Sequence, residues 1–360
     1  MNITNLNVCN NTGITSAGLT TLTKLTDLNI GNTGITALDL SQNTELTWLS
    51  LIQCSGLTTI DLSHNTKLQS LSAQSSGLTE LELNYVHPAL TSLEVGGCNS
   101  LETLRLYQCT GLTSLNLVND VALKDLFVPF CTNLTSIDVS YCNALENVIL
   151  WDCTALTTLT GMKKTACLYV TATNSGTPLK RSIYQVGQLV KVDDSRNFTG
   201  SMGVVYTLDD DSQVKVVSVD EDEKIWGIYG SNDEMPGCDA DKNGWYNTQQ
   251  IPDSPAAQWC TGHGYGWYFP AYEELYSILQ NKAALNETLS AAGYTKIYDE
   301  PREAISYGYL QGRFYWSSTE AGNYEAYIYE TWEDEVDYLH SSPMKEAHYV
   351  RAVYMVSNVN

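Results

Sequence analysis

Leu57-Thr58-Thr59-Ile60-Asp61-Leu62-Ser63-His64-Asn65 puts apolar residues at its first, fourth and sixth positions and closes on an asparagine. The same Leu-x-x-Leu-x-Leu phrase recurs from Leu25, Leu28 and Ile30 to Leu145, Val148 and Leu150, and fades near Leu156 and Leu159. It restarts at Leu46, Leu57, Leu68, Leu78, Leu90, Leu101, Leu112, Leu123 and Leu134, so its step is nearly constant. One coil of a leucine-rich repeat takes roughly 20–29 residues, so each step is half a coil and two steps complete a turn. The spacing predicts a flattened parallel solenoid with a short strand on each face. The alternative is one sheet with irregular return segments.

Between the strands lies a ladder position filled by Asn43, Cys54, Asn65, Cys98, Cys109, Cys131, Cys142 and Cys153. Asn and Cys are small and can donate to backbone carbonyls in a buried turn. Eight of the ten cysteines fall at or before Cys167, and no Cys-x-x-Cys pair occurs among them. They read as reduced structural thiols, not as disulfides or a metal site. The pattern resembles the nested ten-to-eleven-residue leucine-rich repeats of bacterial surface proteins over about residues 20–160. That resemblance implies binding through exposed strand faces and carries no general chemistry.

Positions two steps apart stack on one face of such a solenoid, so outward positions can be read as columns. One column is small and polar: Ser70, Ser92, Ser114 and Ser136. Another holds Arg105, Phe127 and Ile149, flanked by Tyr107, Pro129 and Trp151, with Phe130 beside them. Outward aromatics depart from the Ser, Thr and Asp found elsewhere, and an exposed apolar cluster marks an interface. Arg105, Tyr107, Phe127, Phe130, Ile149 and Trp151 are therefore the expected contact surface, for a ligand or for the C-terminal domain.

The 360 residues carry 41 acidic and 19 basic side chains, a net charge of -22, which repels nucleic-acid phosphates and anionic lipid headgroups. The second half is the more acidic, and it holds 19 of the 23 Tyr and 6 of the 8 Trp after residue 175. Two kinds of fold are expected: a solenoid over 1–172, a linker over 173–182 and an aromatic-rich α+β domain over 183–360. No apolar run reaches the ~18 residues that would span a bilayer, so no transmembrane segment is expected. The start, Met1-Asn2-Ile3-Thr4-Asn5, lacks a secretory n-region and h-region. The chain is read as a mature fragment with an added methionine, a lipid anchor on the preceding segment being left open.

In the second domain Gln188–Val192, Gly203–Thr207 and Val214–Val219 read as strands, and Phe269–Gln280 as a helix with Leu275, Ile278 and Leu279 on one face. Residues 283–292 suggest a second helix. Pro255-Ala-Ala-Gln-Trp-Cys260, Gly266-Trp-Tyr-Phe-Pro-Ala-Tyr-Glu-Glu-Leu275, Tyr315-Trp-Ser-Ser-Thr-Glu320 and Val350-Arg-Ala-Val353 together resemble the C-terminal domain of collagen-like bacterial adhesins and its relatives in gut bacterial surface lipoproteins. The resemblance implies a C-type-lectin-like fold and surface exposure, and names no ligand. Trp259, Trp267 and Trp316 suit a core, and Glu274, Glu320 and Arg351 can be buried only if paired. Arg351 is expected to contact Glu274 or Glu320.

Three motifs could carry chemistry. Asp239, Asp241 and Asn243 open like a calcium loop, but the twelfth position is Gln250 where a bidentate Glu belongs, and no clear helices flank it. A polar turn is the expected reading, with calcium the weaker one and no other cofactor implied. Cys260 and His263 could pair a nucleophile with a base, and Cys238 and Cys260 could form a disulfide or stay as two free thiols. The acidic runs Asp209–Asp211, Asp220–Glu223 and Glu330–Glu335 read as solvated surface that could gather cations or a basic partner. No phosphate loop, dinucleotide fingerprint, HExxH or GxSxG occurs in a supporting context. The function expected is non-enzymatic recognition or adhesion at the surface of a gut-type Gram-negative bacterium, toward a protein or glycan. The alternatives are a carbohydrate-active or protein-modifying enzyme and a structural subunit of a surface assembly.

Overall fold

The computed structural model describes residues 2–83, 87–171, 179–193, 200–208, 213–227, 238, 243–297, 313–322, 325–331, 339–344 and 347–356. The chain divides into two compact units, Met1–Val170 with Gly176–Ile183 and Thr171–Ser175 with Tyr184–Asn360.

The first unit is a leucine-rich-repeat β-solenoid. Its strands are β1 (Asn5–Asn7), β2 (Asp27–Asn29), β3 (Trp48–Ser50), β4 (Ser70–Ser72), β5 (Glu80–Leu83), β6 (Ser92–Glu94) and β7 (Thr103–Leu106), followed by β8 (Ser114–Asn116), β9 (Asp125–Phe127), β10 (Ser136–Asp138), β11 (Asn147–Ile149), β12 (Thr158–Thr160) and β13 (Cys167–Thr171). One parallel sheet runs β1-β2-β3-β4-β6-β8-β10-β12. Its register advances by one full coil from Ser70 to Ser92 and from Ser114 to Ser136, and the step from Asp27 to Trp48 is a single position shorter. The opposite sheet runs β5-β7-β9-β11-β13.

Both geometries expected from the repeat therefore occur. From Glu80 onward each coil has a strand on both faces. In the earlier coils the returns through Leu38 and Ile60 form no strand, and these two residues are only half-buried. The interior holds Leu28, Leu49, Leu71, Leu104 and Leu126 at full burial. Each such side chain contributes roughly 1.5–3 kcal/mol of transfer free energy.

Two ladders run inside the turns, each with one member per coil. One is Asn43, Asn65, His87, Cys109, Cys131 and Cys153; the other is Cys54, Ser76, Cys98, Asp120 and Cys142, and none of these is more than 5 % exposed. Asn43 Nδ2 donates to the carbonyls of Leu19 and Leu22 at 3.0 and 2.9 Å, and Asn65 Nδ2 to those of Leu40 and Asn43 at 3.2 and 2.9 Å. Cys54, Cys153 and Cys142 donate from sulfur to Ile30, Val128 and Leu117 at 3.1, 2.9 and 3.0 Å. These side chains serve the turn carbonyls that the strands leave unpaired. The residue before the cysteine, serine and aspartate ladder positions takes a left-handed φ: Gln53, Ser75, Gln108, Asn119, Phe130, Tyr141 and Asp152, with Gly97 at +77°.

The second unit is α+β. Its strands are β14 (Leu189–Asp193), β15 (Ser201–Leu208), β16 (Val214–Ser218), β17 (Asp222–Ile225), β18 (Trp267–Tyr268), β19 (Arg313–Gly322), β20 (Glu325–Thr331), β21 (Leu339–Pro343), β22 (Ala347–Val350) and β23 (Val353–Val356). Its helices are α1 (Gly244–Gln250), α2 (Pro255–Thr261), α3 (Tyr272–Gln280) and α4 (Lys282–Ala291). Strands β14, β15, β16, β23 and β18 join antiparallel, and β17, β22, β19, β20 and β21 form a second sheet. The apolar face of α3, Leu275, Ile278 and Leu279, is buried as its spacing requires. Trp226, Trp267 and Trp316 are core residues, whereas Trp259 is half-buried, packed edge-on against His263.

Candidate functional site

The aromatic column on the second solenoid sheet is less open than its sequence spacing implies. Phe127 and Ile149 are ladder partners, as expected, and Tyr169 on β13 extends the column one coil further. Ile149 and Trp151 are each only 5 % exposed, and Pro129 is buried too, while Arg105, Tyr107, Phe127 and Phe130 are half-buried. Phe127 meets Trp151 edge-to-face at 5.9 Å and Tyr107 meets Phe130 likewise at 5.3 Å. Large rings at neighbouring rungs pack on each other before they meet solvent. Arg105 is ion-paired with Glu82 one coil back. Tyr169 is invisible to the column reading because the last step is short, from Asn147 to Cys167, and the leucine phrase has ended.

The first sheet carries a concavity of about 580 Å³ on its outer face. Its walls are Ser92, Glu94, Ser114 and Asn116, its floor touches Leu93, and its rim is formed by Gly96, Gly97, Val118 and Asn119, with Gln74 and Thr91 alongside. Gln74 Nε2 and Ser72 Oγ donate to Glu94 Oε2 at 2.5 and 3.3 Å, fixing the one carboxylate of the wall. The polar column read from sequence contributes Ser92 and Ser114.

The hollow lies where the ladder parts. At other seams of this sheet a threonine carbonyl accepts two amides of the next coil, as Thr26 does from Thr47 and Trp48 and Thr135 from Thr157 and Thr158, and at the adjoining β4–β6 seam the Gln69 carbonyl accepts those of Thr91 and Ser92. A threonine hydroxyl adds a third bond, from Thr47 to Thr26 or Thr157 to Thr135. Among the described residues none of these three reaches the Thr91 carbonyl from Thr113 or Ser114, and Glu94 with Asn116 is the single register pair between β6 and β8. Backbone donors and acceptors are thus presented at the surface between two strands.

Asp120 stands directly behind this rim in the ladder. Sequence reading passes over it, although it lies one coil from both Cys98 and Cys142. It is fully buried. Its Oδ1 accepts from the Cys98 amide at 2.8 Å. Burial pushes the carboxyl up to about 7 in spite of hydrogen bonds from the Cys98 and Gly97 amides.

All ten cysteines are free thiols. Cys238 donates to the Asn247 carbonyl at 3.4 Å and Cys260 to the Arg351 carbonyl at 3.9 Å, so of the three readings open for this pair the free-thiol one holds. His263 is not aligned on Cys260. Its Nε2 faces Asp220 at 2.9 Å and its Nδ1 the Trp259 carbonyl at 3.1 Å. Burial opposes protonation of His263, but Asp220 and the neighbouring carbonyls outweigh it and hold its pKa above the usual imidazole value. Burial likewise pushes the Cys260 thiol far up, away from nucleophilic use.

The expected partner of Arg351 is corrected. Its Nε and Nη2 lie 2.9 Å from Glu221, and its remaining donors reach the Ser218 and Thr295 carbonyls. Glu274 instead accepts from Lys215, Tyr268 and the amides of Gly244 and Ala271. A Cβ at Gly244 would come within 2.6 Å of Glu274 Oε2, so that approach needs glycine. Glu320 accepts from the Cys238 amide at 2.9 Å. Within the acidic run 220–223, Glu221 is accordingly fastened into the interior and Asp220 is tied to His263; residues 209–211 and 332–335 lie outside the described residues.

Asp239 and Asp241 also lie outside the described residues. Asn243 is described, and it caps α1, accepting from the Tyr246 amide at 2.9 Å. A helix therefore does follow the motif, contrary to the sequence reading, and Gln250 is its last residue. Among the described residues no helix is long and apolar enough to cross a membrane, and no three His, Cys, Asp or Glu side chains gather as metal ligands.

The repeat, the parallel register and the paired ladders define the first unit as a leucine-rich-repeat solenoid. No protein-family model matches the chain, and no curated protein is similar to it in sequence. Solved structures that overlap it include the functional domain of InlJ from Listeria monocytogenes, which includes a cysteine ladder, at 19% identity and TM-score 0.27 over 60% of this chain. This chain spans 59% of that domain's length. A leucine-rich repeat protein from Bacteroides ovatus overlaps at 14% identity and TM-score 0.14, over 48% of this chain and 73% of that one. An internalin, inlF, from Listeria monocytogenes does so at 18% and 0.14, over 50% and 73%. These overlaps are partial, and the fold stands on the register and ladders above.

Proposed function

We propose that the chain is a non-enzymatic recognition or adhesion protein of a Gram-negative bacterial surface, binding a protein or glycan through the concavity on the first solenoid sheet. The C-terminal unit, with its lectin-like motifs, is read as a companion surface domain. The observation that carries this is the parted seam between β6 and β8, where hydroxyl, amide, carboxylate and backbone groups converge in one hollow. A ligand rich in hydrogen-bond donors and acceptors would satisfy them with little apolar contact. The buried, carbonyl-bound thiols and the Asp220-bound histidine speak against a catalytic reading.

The test is a binding screen against glycans and extracellular proteins, repeated with Ser114→Trp, which fills the hollow, and Glu94→Ala. Any ligand found should bind at least about tenfold more weakly to Ser114→Trp, a loss of about 1.4 kcal/mol, with an unchanged melting temperature. Undiminished binding by both variants would discard the concavity. A second reading keeps Arg105, Tyr107, Phe127 and Phe130 as contact residues supported from beneath by Ile149 and Trp151; the half-exposed ring edges favour it. In that case Phe127→Ala, not Ser114→Trp, weakens the ligand.

A further inference from the structure

One rung of the ladder has the opposite chemistry to its neighbours. Cys54, Cys98 and Cys142 each give a hydrogen to a carbonyl of the preceding coil, those of Ile30, Ala73 and Leu117, at 3.1, 2.9 and 3.0 Å. The same register places the Val95 carbonyl behind Asp120. An ionised carboxylate has no hydrogen to give it. Asp120 Oδ1 instead takes the Cys98 amide at 2.8 Å, an amide it shares with the Val95 carbonyl at 3.3 Å. Asp120 Oδ2 is buried and, among the described residues, accepts no hydrogen bond.

The titratable groups facing it are two thiols, Cys98 from the coil before and Cys142 from the coil after. Burial pushes both up, Cys142 to about 12, so they stay neutral. No cation appears among the groups acting on its carboxyl, whose ionisation is set by burial against the Cys98 and Gly97 amides. The turn that carries Asp120 also supplies Val118 and Asn119 to the lining of the concavity, and Gly97, next to the Cys98 whose amide Asp120 holds, lines it too.

We infer that Asp120 is a proton-operated latch on the seam between β6 and β8. Protonated, it donates from Oδ2 to the Val95 carbonyl as the thiols do, loosens its hold on the Cys98 amide so that this turn relaxes toward the geometry of the other coils, and closes the seam. Ionised, it holds the Cys98 amide tightly and keeps the concavity open. The consequence for binding, tighter at high pH and weaker in acid, rests on the recognition role proposed above; the latch itself does not. The sign follows from linkage. A carboxyl that titrates near 7 when folded and at 3.8 otherwise lends stability that is complete below 3.8 and lost as pH rises toward 7.

The experiment is carboxyl-carbon NMR of Asp120 across pH 4 to 9, with amide-exchange protection of Val95, Thr113 and Ser114 measured at pH 5 and 8. The expected result is a titration midpoint near 7 and higher protection of those amides at pH 5. Asp120→Asn, isosteric and able to donate as Asn43 and Asn65 do, should show the high protection at both pH values. Asp120→Cys, the commonest ladder residue, should do the same. A midpoint in the ordinary carboxylate range, or protection that does not change with pH in the unmodified chain, overturns the latch. Neither readout uses a ligand, so undiminished binding by both Ser114→Trp and Glu94→Ala would discard the concavity as the binding site and leave the latch standing.

Discussion

The two units bury polar groups by opposite means. The solenoid places neutral donors, the amides of Asn43 and Asn65 and the thiols of Cys54, Cys98, Cys142 and Cys153, against backbone carbonyls, and repeats the device every coil. The C-terminal unit takes charges out of water once each: Arg351 with Glu221, Lys215 with Glu274, His263 against Asp220. A neutral donor costs little to desolvate and tolerates a neighbour of the same kind. A buried charge needs one specific partner and several supporting bonds. Repetition can therefore be built from the first and individuality from the second, and Asp120 stands apart as a fully buried carboxyl in the repetitive half.

The largest effect expected from breaking this contrast is at Arg351. Arg351→Met should destabilise the C-terminal unit by about 3–5 kcal/mol, because it removes the guanidinium that neutralises the buried Glu221, which also accepts from the Tyr315 hydroxyl at 2.6 Å. Urea denaturation followed by tryptophan fluorescence measures it, since most of the tryptophans are in that half. A loss under about 1 kcal/mol would mean that water reaches Glu221 and the contrast is overstated. Asn65→Ala is next. It removes donors from the Leu40 and Asn43 carbonyls and should cost the solenoid about 2 kcal/mol, read as a lower midpoint in circular dichroism melts. Asn65→Cys should recover much of that loss if the ladder accepts any small neutral donor. Smallest is Lys67→Ala on the solenoid surface. It deletes the 2.7 Å contact with Glu45, both side chains being half-exposed, and should leave the melt unchanged.

The same contrast sets what could be read in advance. The ladder is legible through Asn and Cys because these residues stand out against a Leu/Thr background at fixed spacing. His87 and Asp120 occupy the same columns and escape notice, since His and Asp are ordinary surface residues until the register puts them inside. Arg351 is recognisable as a charge in need of a partner, but Glu221 reads as part of a solvated acidic run, and 130 residues of chain separate the two. Pairing over that distance is decided by how β17, β22 and β23 are stacked, which no local pattern encodes.

For the outward columns, spacing correctly groups Ser92 with Ser114 and Phe127 with Ile149: the serines wall one hollow on the first sheet, and the apolar pair stands in register on the second. It could not foresee that the aromatic column would be half closed by its own rings, or that the serine column would open into a hollow. By itself the sequence determined the solenoid, its coil length, its apolar interior and its neutral ladder, because each follows from a period that every coil repeats under the same constraint of burying leucine and pairing backbone. Only the tertiary structure decided where one seam parts and which carboxylate lies behind it. Such a defect is a property of two neighbouring coils in contact, and it appears only when their hydrogen bonds are traced across the gap.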